Sequence, residues 1–288
     1  MTFEIILQAL ISGLLMGFIY ALVAAGLSLI FGLMEIVNFA HGEFMMLSMY
    51  ITFWCYALFA IDPILSIPIC IVVMFLIGVA THYSIIRHIL NAPMLVQITA
   101  TFGLAIFLRS LAQFLWSADY RVINDPIVGG RIEIMGIYLG IPQVVASVGC
   151  LLAFGFLYLF VNRTETGMAL QATAQDREAA GLMGIRTDRM LALGWGIGAA
   201  CVGIAGALIS NYYMVFPEVG IIFALLAYVT VAMGGFGSLI GALIAGVAIG
   251  VIEAVGAMVF APAFKYGIIF LCYLIVVMIR PKGLFGRF

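Results

Sequence analysis

The chain is a series of long apolar runs separated by short polar breaks. Most runs are about 17–25 residues long, the length that an α-helix needs to cross a hydrocarbon core of about 30 Å. They lack the alternation of apolar and polar positions that marks a membrane β-barrel. The pattern predicts an all-α, polytopic integral membrane protein with about eight or nine transmembrane helices. The predicted spans are residues 5–30, 43–61, 64–86, 94–116, 138–161, 190–210, 219–234, 238–260 and 265–280.

Proline and polar residues mark the breaks between these spans. Proline lacks a backbone N–H and disfavours continued helix. Prolines stand in the breaks at Pro63, Pro93 and Pro217. The long polar stretches are residues 117–137 and 162–189. We therefore expect one transmembrane domain over residues 1–288, with a cytoplasmic loop at 162–189 and no separate soluble domain.

Composition supports the same class of protein. Hydrophobic residues make up 66% of the chain and charged residues 9%. Soluble domains average about 45–50% hydrophobic residues and about 25% charged residues. The balance of 12 basic and 13 acidic residues leaves no basic surface for nucleic acid. The five cysteines lie in apolar runs without a CxxC pair, so we expect small core residues and no metal site.

The positions of lysine and arginine predict the orientation, because cytoplasmic loops retain them. One side of the alternating spans carries Arg87, Arg163, Arg177, Arg186, Arg189, Arg280, Lys282 and Arg287. The other side carries Arg121, Arg131 and Lys265. This asymmetry places the 162–189 loop and the C-terminus in the cytoplasm, and the span count then places the N-terminus outside.

The stretch "IVNFAHGEF" puts Asn38, His41 and Glu43 between two apolar runs. Such residues are costly in a membrane unless they face a cavity or a partner group. We therefore expect an interrupted helix near residues 32–42 whose unwound backbone faces a polar cavity, with Gly42 permitting close backbone approach. The alternative is a short cytoplasmic turn in which His41 and Glu43 are solvated.

A weak internal repeat accompanies this break. "FGLMEIVNFAHGEFMML" and "MGGFGSLIGALIAG" each place a glycine-containing polar break between apolar stretches, the second at Gly235. Transporters built from repeats often place broken helices at matching positions, where they line the binding site. Two ordinary tight turns would give the same spacing.

Two ionisable residues fall inside predicted spans, Arg109 and Glu253. Either one is a candidate functional group, although Arg109 could reach the interface and Glu253 could form a structural hydrogen bond.

Small residues on two spans predict close helix packing, at Gly194, Gly198, Gly203, Ala207, Gly241, Ala245, Gly246 and Gly250.

The long basic loop reads "RTETGMALQATAQDREAAGLMGIRTDRM". Good helix formers run from residue 164 to 184, with the polar side at Asp176, Arg177 and Glu178. The residues that could be buried are Ala169, Leu170, Ala172 and Ala179. This pattern predicts a short amphipathic helix that lies on the membrane or docks into a groove of a partner. Glu178, Ala179, Ala180 and Gly184 spell EAA-x3-G within it. If the helix docks into a partner, we expect the small Ala179 and Ala180 to allow close approach and Gly184 to end the helix in a left-handed cap.

EAA-x3-G in a loop between membrane spans resembles the coupling loop of permease subunits in binding-protein-dependent ATP-binding-cassette importers. "GLSLIFGLMEIVNFAHGEFMML", "MALQATAQDREAAGLMGI", "GGFGSLIGALIAG" and "RPKGLFG" resemble the branched-chain amino acid permease family, specifically its H-type subunit, over nearly the whole chain. One departure is "GWGI" at 194–197, where the motif of other importer classes continues with I-x-L-P.

The resemblance implies a subunit that translocates branched-chain or related amino acids across the bacterial inner membrane. The implied partners are a second homologous permease subunit in a heterodimer, two cytoplasmic ATPase subunits and a periplasmic substrate-binding protein. It implies that the chain is not an enzyme and needs no cofactor, and the sequence has no GxxxxGK[ST] phosphate loop. The expected substrate pathway is Asn38, His41, Glu43, Gly235 and Glu253. The expected ATPase-coupling residues are Asp176, Arg177, Glu178, Ala179, Ala180 and Gly184.

Two other functions compete with this interpretation. A passive channel or permease for urea or short amides could use half-helices around Asn38 and Gly235, but a channel needs no docking loop. An intramembrane enzyme could use His41 and Glu43 as an acid/base pair, but the sequence offers no serine or cysteine nucleophile with a plausible base nearby.

Overall fold

The structure, a computed structural model, describes residues 3–124, 126–134 and 136–286. Its helices are α1 (Phe3–Met34), α2 (His41–Phe59), α3 (Ile67–Thr81), α4 (Arg87–Ile89), α5 (Met94–Trp116), α6 (Ile141–Arg163), α7 (Glu165–Gln175), α8 (Arg177–Leu182), α9 (Thr187–Ile209), α10 (Val219–Gly234), α11 (Leu239–Val259) and α12 (Lys265–Ile279). A π-helical turn, His82–Ile86, joins α3 to α4, so that residues 67–89 form one continuous span.

Among the described residues, eight helices are long and apolar enough to cross a membrane, and α10 is a shorter apolar helix of 16 residues. This confirms the predicted polytopic all-α class. The 117–140 connection contains a small antiparallel hairpin of β1 (Arg131–Ile134) and β2 (Ile137–Gly140). Because β2 occupies residues 137–140, the span predicted from residue 138 begins later, at Ile141.

The centre of the bundle is α1, in which every residue from 19 to 30 is buried. It packs along α11 and also against α6, α9 and α10. Glycines bring α1 and α11 into backbone contact, since a Cβ atom added at Gly250 would lie 2.3 Å from the carbonyl oxygen of Gly13. Similar contact between α1 and α9 occurs at Gly198, where an added Cβ would lie 2.9 Å from the carbonyl oxygen of Gly26. The predicted close packing of small residues is therefore present.

The basic connections gather at one end of the bundle. The guanidinium of Arg177 donates to the carbonyl of Leu33 at the end of α1, at 3.2 Å, and Arg87 lies 3.5 Å from Asp188 at the start of α9. We call this the basic end; Arg287, assigned to the same side from sequence, lies outside the described residues. The opposite end carries the connections 60–66, 117–140, 210–218 and 260–264. The cytoplasmic location of the basic end stays a prediction from charge.

The α10–α11 connection is a tight turn at the basic end. Gly235 and Gly237 adopt φ values of 104° and 77°, which favour glycine. The C-terminal segment holds this turn, because the N–H of Leu284 donates to the carbonyl of Met233 at 2.9 Å and that of Phe285 to Gly234 at 3.0 Å. Gly235 is therefore buried in a tight turn against the C-terminal segment, as the ordinary-turn alternative expects for this connection.

Candidate functional site

The chain between α1 and α2 is unwound over residues 35–40. Glu35 adopts a positive φ of 57°, which ends α1 and reverses the chain. The Asn38 side-chain oxygen accepts a hydrogen bond from the N–H of Ala40 at 3.1 Å, and the Asn38 carbonyl accepts one from the N–H of His41 at 3.1 Å. Asparagine commonly forms such a local turn. Asn38 thus shapes the backbone from which α2 begins, and the predicted helix interruption is confirmed.

The helix break lies deep inside the bundle. His41 Nε2 is 2.9 Å from the carbonyl oxygen of Val23, which precedes the end of α1 at Met34 by eleven residues. Eleven residues of helix correspond to about 16 Å, roughly half the thickness of the hydrocarbon core. Asn38 and His41 are fully buried and Glu43 is 2% exposed. These burial values contradict the alternative in which His41 and Glu43 are solvated in a surface turn.

Glu43 in the first turn of α2 pairs with Arg109 of α5, which donates from Nη2 to Oε1 of the carboxylate. The Arg109 side chain is 27% exposed, so the pair reaches from the bundle interior toward the surface of α5. The sequence allowed the Arg109 side chain to extend to the membrane interface without a partner. In the structure it pairs with the buried Glu43 carboxylate. A membrane-embedded ion pair of this kind is expected to lie at a functional cavity.

Three polar atoms around the break have no hydrogen-bond partner among the described residues. They are Asn38 Nδ2, His41 Nδ1 and Glu43 Oε2. Leaving a buried polar atom unpaired costs about 1–3 kcal/mol. Native structures retain such groups chiefly where they have a functional role or contact water or a ligand.

Polar side chains on α5 form a row along the unwound segment. Gln97, Thr101, Arg109 and Gln113 are spaced by multiples of four residues and therefore form a stripe that turns by about 40° around the helix with each four-residue step. Thr101 donates to the carbonyl of Val37 at 3.0 Å, and Gln113 donates to the carboxylate of Glu218 at 2.7 Å. Gln97 donates to the carbonyls of Leu90 and Ala92, both at 3.1 Å, at the basic end.

We call Gln97, Thr101, Arg109 and Gln113 the α5 row. The sequence predicts functional groups at Arg109 but not at the other three positions. The available signal was the four-residue spacing of polar side chains within an otherwise apolar span. The row extends from the basic end to the connection before α10 at the opposite end.

Aromatic side chains pack between the unwound segment and its neighbours. The ring of Phe39 lies 5.2 Å from that of Tyr228 on α10 and 6.3 Å from that of Phe102 on α5. The Tyr228 hydroxyl donates to the carbonyl of Asn38 at 2.5 Å. The break is therefore held between α5 and α10 by both aromatic packing and hydrogen bonds to its backbone carbonyls.

A cleft of about 500 Å³ opens at the basic end below the unwound segment. It is lined by Gly32, Leu33, Met34, Glu35, Leu90, Met94, Gln97, Thr173, Ala174, Gln175 and Arg177. Partial burial lowers the pKa of the Arg177 guanidinium, and the nearby charge of Glu35 acts in the opposite direction. The cleft therefore joins the end of α1, the start of α5 and the loop that carries the EAA motif.

That loop forms two helices where the sequence predicts one. Asp176 interrupts the helix between α7 and α8, and its carboxylate caps α8 by accepting from the N–H groups of Glu178 and Ala179, both at 2.9 Å. Aspartate is a favoured N-cap, so it competes with a continuous helix at this position. Asp176 is itself exposed, so it both caps α8 and belongs to the polar surface of the loop.

The EAA segment places its residues on different sides of α8. Glu178 and Ala179 are exposed, whereas Ala180 is only 4% exposed. Two neighbouring apolar side chains, Leu182 and Met183, are 89% and 83% exposed. The expectation that Ala180 permits close approach by a partner is therefore wrong, because Ala180 is buried within this chain, and so is the expectation that Ala179 is buried.

Gly184 ends α8 with a left-handed backbone at a φ of 85°. The N–H of Gly184 donates to the carbonyl of Gly181 at 3.0 Å, and the N–H of Ile185 to that of Ala180 at 3.1 Å. These two bonds form a Schellman motif, so the predicted glycine cap is present.

Replacing Gly184 with alanine will loosen this cap. A side chain in the left-handed region costs about 1–2 kcal/mol, whereas Gly181→Ala places a methyl group in open space within a helix. Hydrogen–deuterium exchange should become faster at the amides of residues 184 and 185 in Gly184→Ala and stay at the wild-type rate in Gly181→Ala. Equal exchange in the two variants would contradict the proposed cap.

Glu253 lies at a separate place in the fold. Its carboxylate accepts from the Lys265 ammonium at 2.7 Å and from the Tyr20 hydroxyl at 2.5 Å, near the opposite end of the bundle. Among the pathway residues expected from sequence, Asn38, His41 and Glu43 come together at the helix break. Gly235 forms the turn at the basic end, and Glu253 lines a second cleft.

The family model for the permease component of branched-chain amino acid transport systems matches residues 9–278. The chain belongs to this permease family. The permease is 31% identical to the high-affinity branched-chain amino acid transport system permease protein BraD of Pseudomonas aeruginosa, over 98% of this chain and 96% of that protein. Its identity to the corresponding protein LivH of Escherichia coli is also 31%, with the same coverage.

A third relative is the probable branched-chain amino acid transport permease protein LivH of Methanocaldococcus jannaschii, with 28% identity over 92% of the permease and 88% of that protein. No solved structure gives a significant match to the permease. The resemblance to this family that the motifs indicated is confirmed. The prediction of a multi-pass membrane protein that belongs to a transport system is confirmed as well.

Proposed function

We propose that this chain is a membrane subunit of an ATP-driven, binding-protein-dependent importer that carries branched-chain amino acids across the plasma membrane, which in bacteria is the inner membrane. The central supporting observation is the unwound segment 35–40, buried in the bundle beside Asn38, His41 and Glu43. Broken helices at mid-membrane are where transporters hold their substrates. The names of its relatives, which belong to high-affinity branched-chain amino acid transport systems, suggest the substrate class.

In this proposal the substrate passes along the space between the unwound segment and the α5 row. The carbonyls of Val37 and Asn38, which accept from Thr101 and Tyr228 in this structure, and the pair of Glu43 with Arg109 supply both hydrogen-bond acceptors and charges. These groups suit a small zwitterionic substrate, because they can replace the water molecules that its charged groups lose in the bundle. Helix α5 contributes few buried residues to this chain, so its remaining face is available to the second permease subunit of a heterodimer.

The loop that contains the EAA motif supports an ATP-driven mechanism. Exposed Leu182 and Met183 project from α8 beside the exposed Glu178, which suits docking into an apolar groove with a charged rim. Two cytoplasmic ATPase subunits would supply that groove and perform all ATP hydrolysis. Arg177, at the start of α8, donates to the carbonyl of Leu33 two residues before the helix break. Movement of α8 by the ATPase would therefore act directly on the end of α1.

Uptake by proteoliposomes tests this function. A complex of the chain, its permease partner, the ATPases and the periplasmic binding protein should accumulate leucine only with ATP and binding protein present. Vesicles that contain the chain alone should accumulate none. Concentrative uptake by the chain alone, or passive equilibration of urea or a short amide through it, would refute the importer proposal.

Replacing Leu182 and Met183 with serine will uncouple the ATPase. Burying one such apolar side chain is worth about 1.5–3 kcal/mol, so losing it should weaken docking by about tenfold or more. Stimulation of ATP hydrolysis by loaded binding protein is the measurement. Met168→Ser is the matched control, because Met168 is an exposed methionine of α7 in the same loop. Full stimulation in the Leu182 and Met183 variants would remove α8 from the docking surface.

A further inference from the structure

A second cleft, of about 270 Å³, lies between α1, α11 and α12 near the opposite end of the bundle. Lys265 begins α12, and Tyr213 lies in the connection before α10, so the cleft lies toward the end away from the EAA loop. Its polar groups are Ser12, Tyr20, Tyr213, Glu253, Lys265 and Tyr266. The volume suits a ligand somewhat smaller than a drug molecule, for which pockets measure about 300–1,000 Å³.

One carboxylate and one ammonium stand side by side in this cleft. The side chain of Glu253 is 13% exposed and that of Lys265 is 32% exposed. The Lys265 ammonium also lies 4.6 Å from the centre of the Tyr266 ring. The pair carries no net charge, and both residues line the cleft and remain partly exposed.

The remaining wall of the cleft is apolar. It is formed by Gly13, Met16, Ile222, Phe223, Gly250, Ala254 and Ala257. A ligand that fills it therefore needs an aliphatic part for this wall and charges for the pair. Phe223 lies one turn after Gly220 in α10, and Gly220 packs against Gly42 and Glu43 at the helix break.

We propose that this cleft is a binding site for a zwitterionic α-amino acid with an aliphatic side chain, which is held before it reaches the helix break. The ligand ammonium binds Glu253, the ligand carboxylate binds Lys265, and the tyrosine hydroxyls supply further hydrogen bonds. Four charges of alternating sign attract one another without adding net charge to a partly buried site. This inference rests on the proposed function, since it assigns a loading site to the same amino acid importer.

The geometry also predicts specificity. A ligand that lacks a carboxylate makes no ion pair with Lys265. A ligand that lacks an ammonium makes no ion pair with Glu253. Each also brings an uncompensated charge into the cleft, which is unfavourable when water is displaced. The site therefore discriminates against amines and carboxylic acids that have the same aliphatic chain.

Binding of radiolabelled L-leucine to the complete importer in nanodiscs, without the periplasmic binding protein, tests the proposal. Wild-type protein should bind leucine saturably, and 3-methylbutylamine and 4-methylpentanoate should compete about tenfold or more less well than leucine. Glu253→Gln and Lys265→Met should each weaken leucine binding by about tenfold or more. Lys282→Met, an exposed lysine at the basic end, should bind leucine like the wild type.

Assembly of each variant is checked by size-exclusion chromatography. The competition experiment uses wild-type protein, so it remains decisive if a variant fails to assemble. Equal competition by the two analogues, absence of leucine binding, or wild-type affinity in assembled Glu253→Gln and Lys265→Met would each overturn the proposal. ATP-driven leucine uptake is measured in parallel with wild-type protein. If uptake occurs without the predicted binding, only this site is refuted, whereas absence of ATP-driven uptake refutes the proposed function.

Discussion

Replacing Gly42 with valine will force α2 away from α10 and prevent the permease from assembling. A Cβ atom at Gly42 would lie 2.0 Å from the carbonyl oxygen of Gly220 and 2.6 Å from the Cβ of Ala224. Favourable contacts between such atoms begin at about 3.5 Å, so the helices must separate by more than about 1 Å. The nearest atom belongs to the backbone, and no side-chain rotation relieves the clash. Overpacking of this kind typically costs about 1–3 kcal/mol and occasionally more.

Gly155→Val is the matched control, because no atom lies within 4 Å of a Cβ atom added at Gly155 of α6. Both variants are expressed with the partner subunits, and the yield and thermal midpoint of the complex are measured. The Gly42 variant should give little or no complex, whereas the Gly155 variant should give a wild-type yield. Wild-type yield and midpoint for Gly42→Val would show that α2 and α10 are not in backbone contact.

Replacing Arg109 with methionine will destabilise the permease strongly, and a second change at Glu43 will restore its stability. The single change leaves the buried Glu43 carboxylate without its charged partner, which costs about 3–5 kcal/mol in other proteins. Glu43→Gln removes that charge, and neutral groups in place of a buried ion pair are often tolerated. The double variant should therefore assemble. It should not transport, because both charges proposed to line the path are absent.

Thermal midpoints of the single and double variants give the coupling between the two positions. Arg189→Met provides the control, since Arg189 is an exposed arginine at the basic end; its midpoint and uptake should match the wild type. If Arg109→Met is as stable as the wild type, the pair makes no contribution to folding. If the stable double variant transports at the wild-type rate, the pair has no role in the path.

The sequence predicts the helix break and the Gly184 cap because both arise from local chemistry. Asn38, His41 and Glu43 are polar residues within an apolar stretch, and the Asn38 side chain bonds to the backbone only two residues away. Gly184 follows a short run of helix formers, where a left-handed residue commonly ends a helix. Neither feature depends on contacts that are distant in the sequence.

Other features depend on such distant contacts or on competing local bonds. The partner of Glu43 is 66 residues away on α5, and no local pattern specifies that pairing. Ala180 is buried by neighbouring elements of the chain, although the EAA motif alone gives no indication of which face of α8 is exposed. Gly235 resembles the first break in composition, but the C-terminal segment pairs with this connection and keeps it at the basic end.

Water should reach the unwound segment during transport, and the reactivity of cysteines introduced there measures this directly. Single cysteines at Val37 and Phe39 are introduced after the five native cysteines are replaced with alanine. A membrane-impermeant thiol reagent should modify both positions in the complete importer, at rates that change when ATP is bound and fall when leucine is present. Phe156→Cys, on an exposed apolar part of α6, should stay unmodified. Cysteines at Val37 and Phe39 that are as unreactive as the one at Phe156 in every nucleotide state would contradict a path along residues 35–40.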